Sequence, residues 1–346
     1  MNTVFPTAFS HVKWFSDFSF ADPPLPLREA LTPTLLALVL LAALAIGALV
    51  WLDRRLEELP VYRSVDRWLS ARSDRGTLVL RVGLGATLLL SWQADTLLVP
   101  ELRIGAAWLG WLQFALALLL LFARTTPLAG AGLLALYGLA LAPVGPLHML
   151  DYLVFAGVGY ALAVSAAGNR RIRGSGLPAL YAAVGFSLCW VALEKIVYPQ
   201  WGLYVLQQNP QLTLGFDVRF FLLGAALVEF ALGYLLVINL LQRPMALLIT
   251  LVFFSTTLIF GKTEVIGHTL IHAALVVFLL EGAGRVWKPP IALHRGLALR
   301  TAFGSVNFVL LFSGLLALYQ WSAIARFRAE TGAAAVSFSH IPGEQQ

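Results

Sequence analysis

Charge and cysteine are what this sequence has little of. Asp, Glu, Lys and Arg make up 12% of its 346 residues, against about 25% in an ordinary soluble domain. So few charged side chains cannot cover the surface of a globule of this size, which excludes a soluble enzyme and a disordered chain. Cys189 is the only cysteine, which excludes a disulfide-stapled secreted domain and a self-contained dithiol relay.

Several motifs are missing as well. The sequence has no P-loop, C-x-x-C, H-E-x-x-H or Ser-His-Asp constellation, and no haem or flavin motif. The formal net charge of +6 would suit nucleic acid, but the basic residues lie between long apolar runs and therefore indicate membrane topology. We expect no nucleic-acid partner.

Long apolar runs are abundant, since 59% of the residues are hydrophobic. A membrane span needs roughly 20 mostly apolar residues. Ten candidate runs fall at about 30–52, 77–99, 105–122, 128–143, 147–166, 177–197, 220–241, 244–260, 265–281 and 301–325. The fourth and the eighth are the shortest. The sequence predicts an all-α, polytopic transmembrane helix bundle of about ten spans, embedded in a lipid bilayer.

The distribution of Lys and Arg orients these spans. With the N-terminus placed outside, most basic residues fall into inner loops, above all 53–76, 167–176 and 282–300. Because inner loops carry the excess of basic residues, we predict that both termini lie outside. Arg81 and Lys195 lie within spans, and we expect Arg81 to extend towards the inner surface.

The N-terminal segment, residues 1–30, lacks the basic-then-apolar order of a signal peptide. It is rich in Phe and Trp and is then interrupted by Pro23, Pro24 and Pro26. We interpret it as an interfacial segment at the lipid headgroups; the alternative is a flexible tail.

Two stretches of the chain align with each other. Matching the prolines that end 82–100 and 184–199 sets Asp95 on Glu194, and separate local matches further along the chain pair other residues. The matched pairs are Asp95 with Glu194, Gln113 with Glu229, Pro127 with Pro244 and His148 with His268. The sequence thus predicts two parallel four-helix units. The domain boundaries that follow are 1–30, 31–76 (first span and loop), 77–176 (first unit), 177–282 (second unit) and 283–346 (last span and tail).

Three segments of the second unit carry a family likeness. They are W-x-x-L-E-K-x-x-Y-P (Trp190, Leu193, Glu194, Lys195, Tyr198 and Pro199), V-E-F-x-L-G (Val228 to Gly233) and G-H-T-L (Gly267 to Leu270). In these the chain resembles the DoxX/DoxD group, well over 177–282 and weakly over 77–166. The resemblance implies a bacterial or archaeal cytoplasmic (inner) membrane protein. The group includes a small subunit of thiosulfate:quinone oxidoreductase and many members without assigned activity. The first unit departs from the pattern, with Asp95–Thr96 for Glu194–Lys195 and Gln113 for Glu229.

Ionisable side chains inside spans are costly and often functional. The predicted topology brings nearly all of them to the outer half of the bilayer, with Glu229 about 15 Å deep. The candidate catalytic residues are Glu194, Lys195, Glu229, Glu264, His268 and His272. The candidate cofactor-binding residues are Asp95, His148 and Asp151.

Glu264, His268 and His272 are spaced i, i+4, i+8 and share one helix face. Three interpretations stay open for these and the other acids: a divalent-metal site, proton transfer or redox-ligand binding, and interhelical hydrogen bonds that hold the bundle together. All three residues together span about 12 Å along the axis, so a metal would take a neighbouring pair and an acid from another helix.

Lys195 is expected to pair with Glu229 or Glu264, or to reach the headgroups. If Glu229 has no cationic partner, burial should keep it neutral, suited to handing on a proton or to hydrogen-bonding a quinone carbonyl. The aromatic loop 198–219 either caps the outer cavity or lies in the aromatic belt.

The function expected from these features is a redox-linked one. The chain would be a quinone-interacting or proton-handling subunit beside a partner subunit that carries the electron cofactor. The alternative is a transporter or metal-handling permease using the same Glu/His cluster. A second alternative is a structural assembly factor.

Overall fold

The structure of the protein is a computed structural model that describes residues 12–16, 18–282, 284 and 286–338. Within these residues every regular element is helical, apart from an isolated bridge between Thr96 and Arg103. The helices are α1 (Val12–Phe15), α2 (Leu27–Ala30), α3 (Pro33–Glu58), α4 (Pro60–Ser70), α5 (Gly76–Gln93), α6 (Ala107–Leu119), α7 (Thr126–Val144), α8 (Pro146–Met149), α9 (Leu153–Ala163), α10 (Arg170–Gly174), α11 (Gly176–Val197), α12 (Pro199–Gln208), α13 (Val218–Ile238), α14 (Gln242–Phe260), α15 (Lys262–Glu281) and α16 (Leu297–Phe338).

Eight helical stretches in the described part are long and apolar enough to cross a membrane. They are Pro33–Glu58, Ala123–Val144, Pro146–Ala163, Arg170–Val197, Val218–Ile238, Gln242–Phe260, Lys262–Glu281 and Leu297–Gly332. The polytopic all-helical prediction is confirmed at this level, and the two shortest predicted spans are among the eight. The predicted second and third spans are not among these eight stretches. They form α5, of 18 residues, and α6, of 13 residues. At 1.5 Å per residue α6 is about 20 Å long, which is shorter than the hydrocarbon core.

The helices from α5 to α15 pack in two groups of four. In the first group α5 contacts α6, α6 contacts α7, α7 contacts α9, and α9 returns to α5. In the second group α11 contacts α13, α13 contacts α14, α14 contacts α15, and α15 returns to α11. The groups meet where α5 lies against α15 and α9 lies against α11. The helices α3 and α16 pack on each other and against α13.

Small residues let these helices approach closely. A Cβ on Gly185 would lie 2.5 Å from the carbonyl oxygen of Gly233, and a Cβ on Gly83 would lie 2.2 Å from the Cβ of Ala273. Between helices in lipid, where water does not drive association, such close backbone contact is a main source of stability. The glycines of the V-E-F-x-L-G segment and of α5 are therefore packing residues.

One end of the bundle is fastened by Arg243, at the start of α14. Its buried guanidinium donates to the carbonyl oxygens of Leu279 and Leu280 at 2.7 and 3.1 Å and pairs with Asp66 of α4. We call this the Arg243 end. Arg81 donates to the carbonyl oxygens of Leu120 and Leu121, which follow α6, where a cation satisfies helix-terminal acceptors.

Candidate functional site

A buried lysine from the N-terminal segment organises the opposite end of the bundle. Lys13 Nζ lies 2.5 Å from Asp151 Oδ2 and 2.5 Å from Glu194 Oε2, and all three side chains are fully buried. We call these three residues the Lys13 cluster. Asp151 comes from the turn before α9, and Glu194 from the last turns of α11. The cluster thus joins the two four-helix groups through a third part of the chain.

The charge of Lys13 is held by its neighbours. Burial disfavours an ammonium group, but the charges of Asp151, Glu194 and Glu101 outweigh that cost, so the pKa of Lys13 lies above its usual value. Lys13 therefore stays protonated at any physiological pH.

The rest of the described N-terminal segment is inserted among the helices. The indole of Trp14 occupies space that Gly267 leaves free, since a Cβ there would lie 1.8 Å from the ring. Trp14 Nε1 donates to the Tyr152 hydroxyl at 3.1 Å, and its ring lies 5.2 Å from that of His268. This differs from the interfacial interpretation of residues 1–30, because Lys13, Trp14 and Phe15 are buried by protein; residues 1–11 and 17 lie outside the described residues.

A second ion pair lies beside the Lys13 cluster. His148, in α8, pairs with Glu101 of the loop between α5 and α6, and both side chains are more than nine-tenths buried. Burial disfavours the Glu101 carboxylate, but His148, Lys13 and a hydrogen bond with Tyr152 outweigh it and hold the pKa of Glu101 below its usual value. The predicted site residue His148 thus ties a loop to the bundle.

Lys195 and Glu229 form the pair that the sequence analysis named among its alternatives. Lys195 Nζ donates to Glu229 Oε2 at 2.6 Å, from α11 to α13. The side chains are 14% and 22% exposed, so the pair is partly accessible. The condition for a neutral Glu229, the lack of a cationic partner, is not met.

The predicted face of α15 is present, and its three side chains lie in different surroundings. Glu264 pairs with His268, whose ring stacks on Phe253 at 4.4 Å. His272 packs its ring against Phe253 and Phe254, and neither of its ring nitrogens has a hydrogen-bond partner in the described part of the chain. Among the described residues no group of three or more His, Cys, Asp or Glu side chains could hold a metal ion. The physical reason is that the second imidazole lies among phenyl rings rather than beside a further acid.

A cavity of about 340 Å³ lies between α9, α11, α12, α13, α14 and α15. Most of its wall is apolar, from residues such as Val205, Leu222 and Phe253. Its polar wall groups include Asp151, Tyr152, Lys195, Glu229 and His268. Large, mostly apolar pockets with a few convergent polar groups are the usual form of a small-molecule site.

The loop 198–219 covers one side of this cavity. Gly202, Val205 and Leu206 of α12 line it, while Tyr204 on the same helix is 48% exposed. Trp201 is buried, stacked on Tyr198 at 4.1 Å, and donates to Asp22 at 2.9 Å. The loop therefore caps the cavity with one helix face and presents an aromatic residue outward with another.

The predicted site residues divide into three sets. Asp151, Lys195, Glu229 and His268 line the cavity. The next set, Glu194, Glu264, His272 and His148, lies behind that wall and reaches it only through a neighbour. Asp95 forms the third set: it is exposed, in a left-handed turn (φ 57°) after α5, and does not line the cavity.

Sequence reasoning missed three groups of this region, Lys13, Trp14 and Glu101. Lys13 falls within the segment predicted to be interfacial, although it is the only Lys or Arg before Arg28 and stands beside Trp14 and Phe15. That isolation was the one available signal. Glu101 lies in a loop, where nothing in the sequence separates a buried acid from a solvated one.

No family model, curated protein or solved structure matches this chain. The resemblance to the DoxX/DoxD group stays a prediction, and function is argued from the chemistry of the cavity and of the Lys13 cluster.

Proposed function

We propose that this chain is a DoxX-like protein of a bacterial or archaeal cytoplasmic membrane, built from two four-helix units with both termini outside. The contacts support the two units, since each group of four closes in the same order and the first helix of each lies against the last helix of the other. Such an arrangement follows when two parallel repeats are related by a two-fold axis along the membrane normal.

The cavity binds a quinone ring, and the chain acts as a redox-linked membrane subunit. The observation that carries this proposal is the 340 Å³ apolar cavity with the Lys195–Glu229 pair and His268 in its wall. The volume lies within the range of small-molecule sites, about 300–1,000 Å³. Burying an ion pair in a mostly apolar wall carries a desolvation penalty. A pair kept at that cost favours a functional role.

The wall groups match both oxidation states of such a ring. Lys195 offers ammonium donors to a carbonyl oxygen, and Glu229 offers a carboxylate oxygen to a hydroxyl. His268 presents an imidazole on the α15 side of the cavity. A bound quinone would supply the electron-accepting chemistry, and a partner subunit that carries the electron cofactor would supply the electrons.

An apolar ligand has a route from the lipid. Val228 of α13 and Val252 of α14 line the cavity, yet they are 59% and 41% exposed. Residues that face both the cavity and the outside mark the gap between these two helices. A ligand dissolved in the bilayer therefore enters without crossing water.

The test is direct binding of ubiquinone with a single isoprenoid unit to the purified chain in lipid nanodiscs, measured by equilibrium dialysis and extraction. We expect saturable binding by the natural sequence and a loss of tenfold or more in affinity, about 1.4 kcal/mol, in Lys195→Met and Glu229→Gln. Lys262→Met is the matched control, because it removes an exposed lysine from α15 without touching the cavity. Absence of binding, or equal affinity in all four proteins, would overturn the proposal.

A further inference from the structure

The Lys13 cluster carries an unbalanced charge. Two carboxylates, Asp151 and Glu194, share one ammonium, each at 2.5 Å from Lys13 Nζ, and none of the three side chains is exposed. The Glu101–His148 pair beside it contributes no net charge when the imidazole is protonated, and one negative charge when it is neutral. In either state, with both carboxylates ionised, these five described residues hold at least one negative charge more than positive.

Two carboxylate oxygens in this region are also without partners. In the described part of the chain, Asp151 Oδ1 and Glu194 Oε1 are buried and have no hydrogen-bond partner. An ionised, unpaired oxygen in such a site costs several kcal/mol. When two carboxylates share a site, the usual solution is that one of them carries a proton.

Among the residues that the structure describes, the other charged groups around the two acids do not supply the missing positive charge. The remaining charged groups that face the two acids are Glu101, His148 and Lys195, and Lys195 is already paired with Glu229. The phenols of Tyr137, Tyr152, Tyr198 and Tyr319 are neutral neighbours. Only the ammonium of Lys13 touches both carboxylates.

We infer that Asp151 and Glu194 hold one exchangeable proton between them, with Lys13 as their fixed counter-charge, and that this pair is the proton store of the cavity. The link to the cavity is Asp151, which lines its wall and also touches Lys13. Because both carboxylates contact the same ammonium, protonation of either acid leaves the other carboxylate paired with Lys13. Lys13 is a positioning residue, because it contacts both acids and does not line the cavity.

The N-terminal segment is built to hold this counter-charge in place. Trp14, next to Lys13, lies in the space that Gly267 leaves open and is hydrogen-bonded to Tyr152. A lysine fixed by its neighbour keeps the distance between the two acids constant, which proton sharing requires. The store itself does not depend on the quinone proposal; only its coupling to a ligand rests on that proposal.

The store is tested without any ligand, by infrared spectroscopy of the purified protein in nanodiscs at neutral pH, in H₂O and in D₂O. We expect the carbonyl stretch of one protonated carboxylic acid, shifted in D₂O, that is lost or moved in Asp151→Asn and Glu194→Gln and is unchanged in Asp95→Asn, which changes an exposed acid outside the cavity. Asp151→Glu should move this band rather than remove it, and it keeps the acid if the amide variant does not fold. Absence of the band, or a band that none of these changes at Asp151 and Glu194 alters, would overturn the inference.

The coupling is tested by adding ubiquinone with a single isoprenoid unit to the same samples. We expect the acid band to shift when the cavity fills, and Glu229→Gln to show a weaker shift at equal ligand concentration. If the quinone does not bind, the proposed function fails while the ligand-free spectrum still decides the store. If the quinone binds and the band stays in place, the coupling is wrong.

Discussion

The two four-helix groups use matched positions in opposite ways. We call residues 76–163 the first half and residues 176–281 the second half. Gln113 of the first half is fully buried, and its side-chain amide forms hydrogen bonds with the backbone. It accepts from Leu98 N at 2.9 Å and donates to the carbonyl oxygens of Leu88 and Thr96. Glu229, its match in the second half, faces the cavity and pairs with a side chain.

The other matched pairs follow the same division. Asp95 lies in an exposed turn, whereas Glu194 is fully buried beside Lys13. His148 is held by a loop acid, Glu101, whereas His268 lines the cavity. The first half therefore uses polar residues to secure an irregular loop, and the second half uses them to line a cavity.

The largest effect is expected where the two halves meet. Lys13→Met leaves Asp151 and Glu194 buried without a counter-charge, and removing one partner of a buried ion pair costs about 3–5 kcal/mol. The measurement is the apparent free energy of unfolding in detergent. The control is the triple variant Lys13→Met with Asp151→Asn and Glu194→Gln, which should recover much of the loss. An unchanged stability in Lys13→Met would show that the halves do not depend on this link.

Gln113→Leu should come next and should act on stability alone. It removes the acceptor of the buried Leu98 N–H and the amide donor to the carbonyl oxygens of Leu88 and Thr96. An unsatisfied buried polar group costs about 1–3 kcal/mol, so we expect a net loss of about 2–3 kcal/mol. Glu229→Gln should lower stability less than Gln113→Leu does, since the amide oxygen of Gln can still accept from Lys195 at the cavity wall. Quinone binding by the folded fraction of Gln113→Leu should equal that of the natural sequence. Equal losses of stability in the two variants would remove the contrast between the halves.

Glu101→Gln should have a pH-dependent effect. Because the pKa of Glu101 is held below its usual value of 4.5, its carboxylate stabilises the folded protein above that pH, and this contribution is lost as the pH falls through the lowered pKa. We expect Glu101→Gln to lower stability by about 1–2 kcal/mol at neutral pH. The difference from the natural sequence should narrow in acid. A difference that grows below the usual carboxyl pKa would contradict the pairing with His148.

Asp95→Asn should have the smallest effect. Asp95 is exposed, and surface substitutions of this kind change stability by less than about 0.5 kcal/mol. Asn also tolerates the left-handed backbone at this position. Thermal unfolding and quinone binding should both match the natural sequence. A loss of binding would mean that the first half has a second, unrecognised part in the site.

Much of the helical plan could be predicted, because it depends on local composition. The apolar runs predicted helices at the right places, including the two shortest, now Ala123–Val144 and Gln242–Phe260. The lengths of α5 and α6 could not be predicted in the same way. Gln113 of α6 binds the loop that follows α5, and Arg81 of α5 binds the segment that follows α6. The ends of both helices therefore depend on contacts between helices.

Part of the site was also within reach of the sequence. The pairing of Lys195 with Glu229 follows from two opposite charges that no span can leave alone in lipid. Trp190 shows what the sequence does not reveal about aromatic residues. Near the outer end of its predicted span it would suit the aromatic belt, but it is buried and donates to the Leu147 carbonyl. Aromatic residues at an interface and in a core look alike when only one helix is considered.

By itself the sequence determined that this is a helical protein of the bilayer and which of its spans carry charge, since hydropathy and helix periodicity act within a few turns of chain. Only the tertiary structure decided that Lys13 joins Asp151 to Glu194, that Gly267 receives Trp14 and that His272 lies among phenyl rings. Those contacts join residues more than a hundred positions apart or on separate helices. Whether a charge is solvated, paired or left to hold a proton depends on which distant group comes to lie beside it.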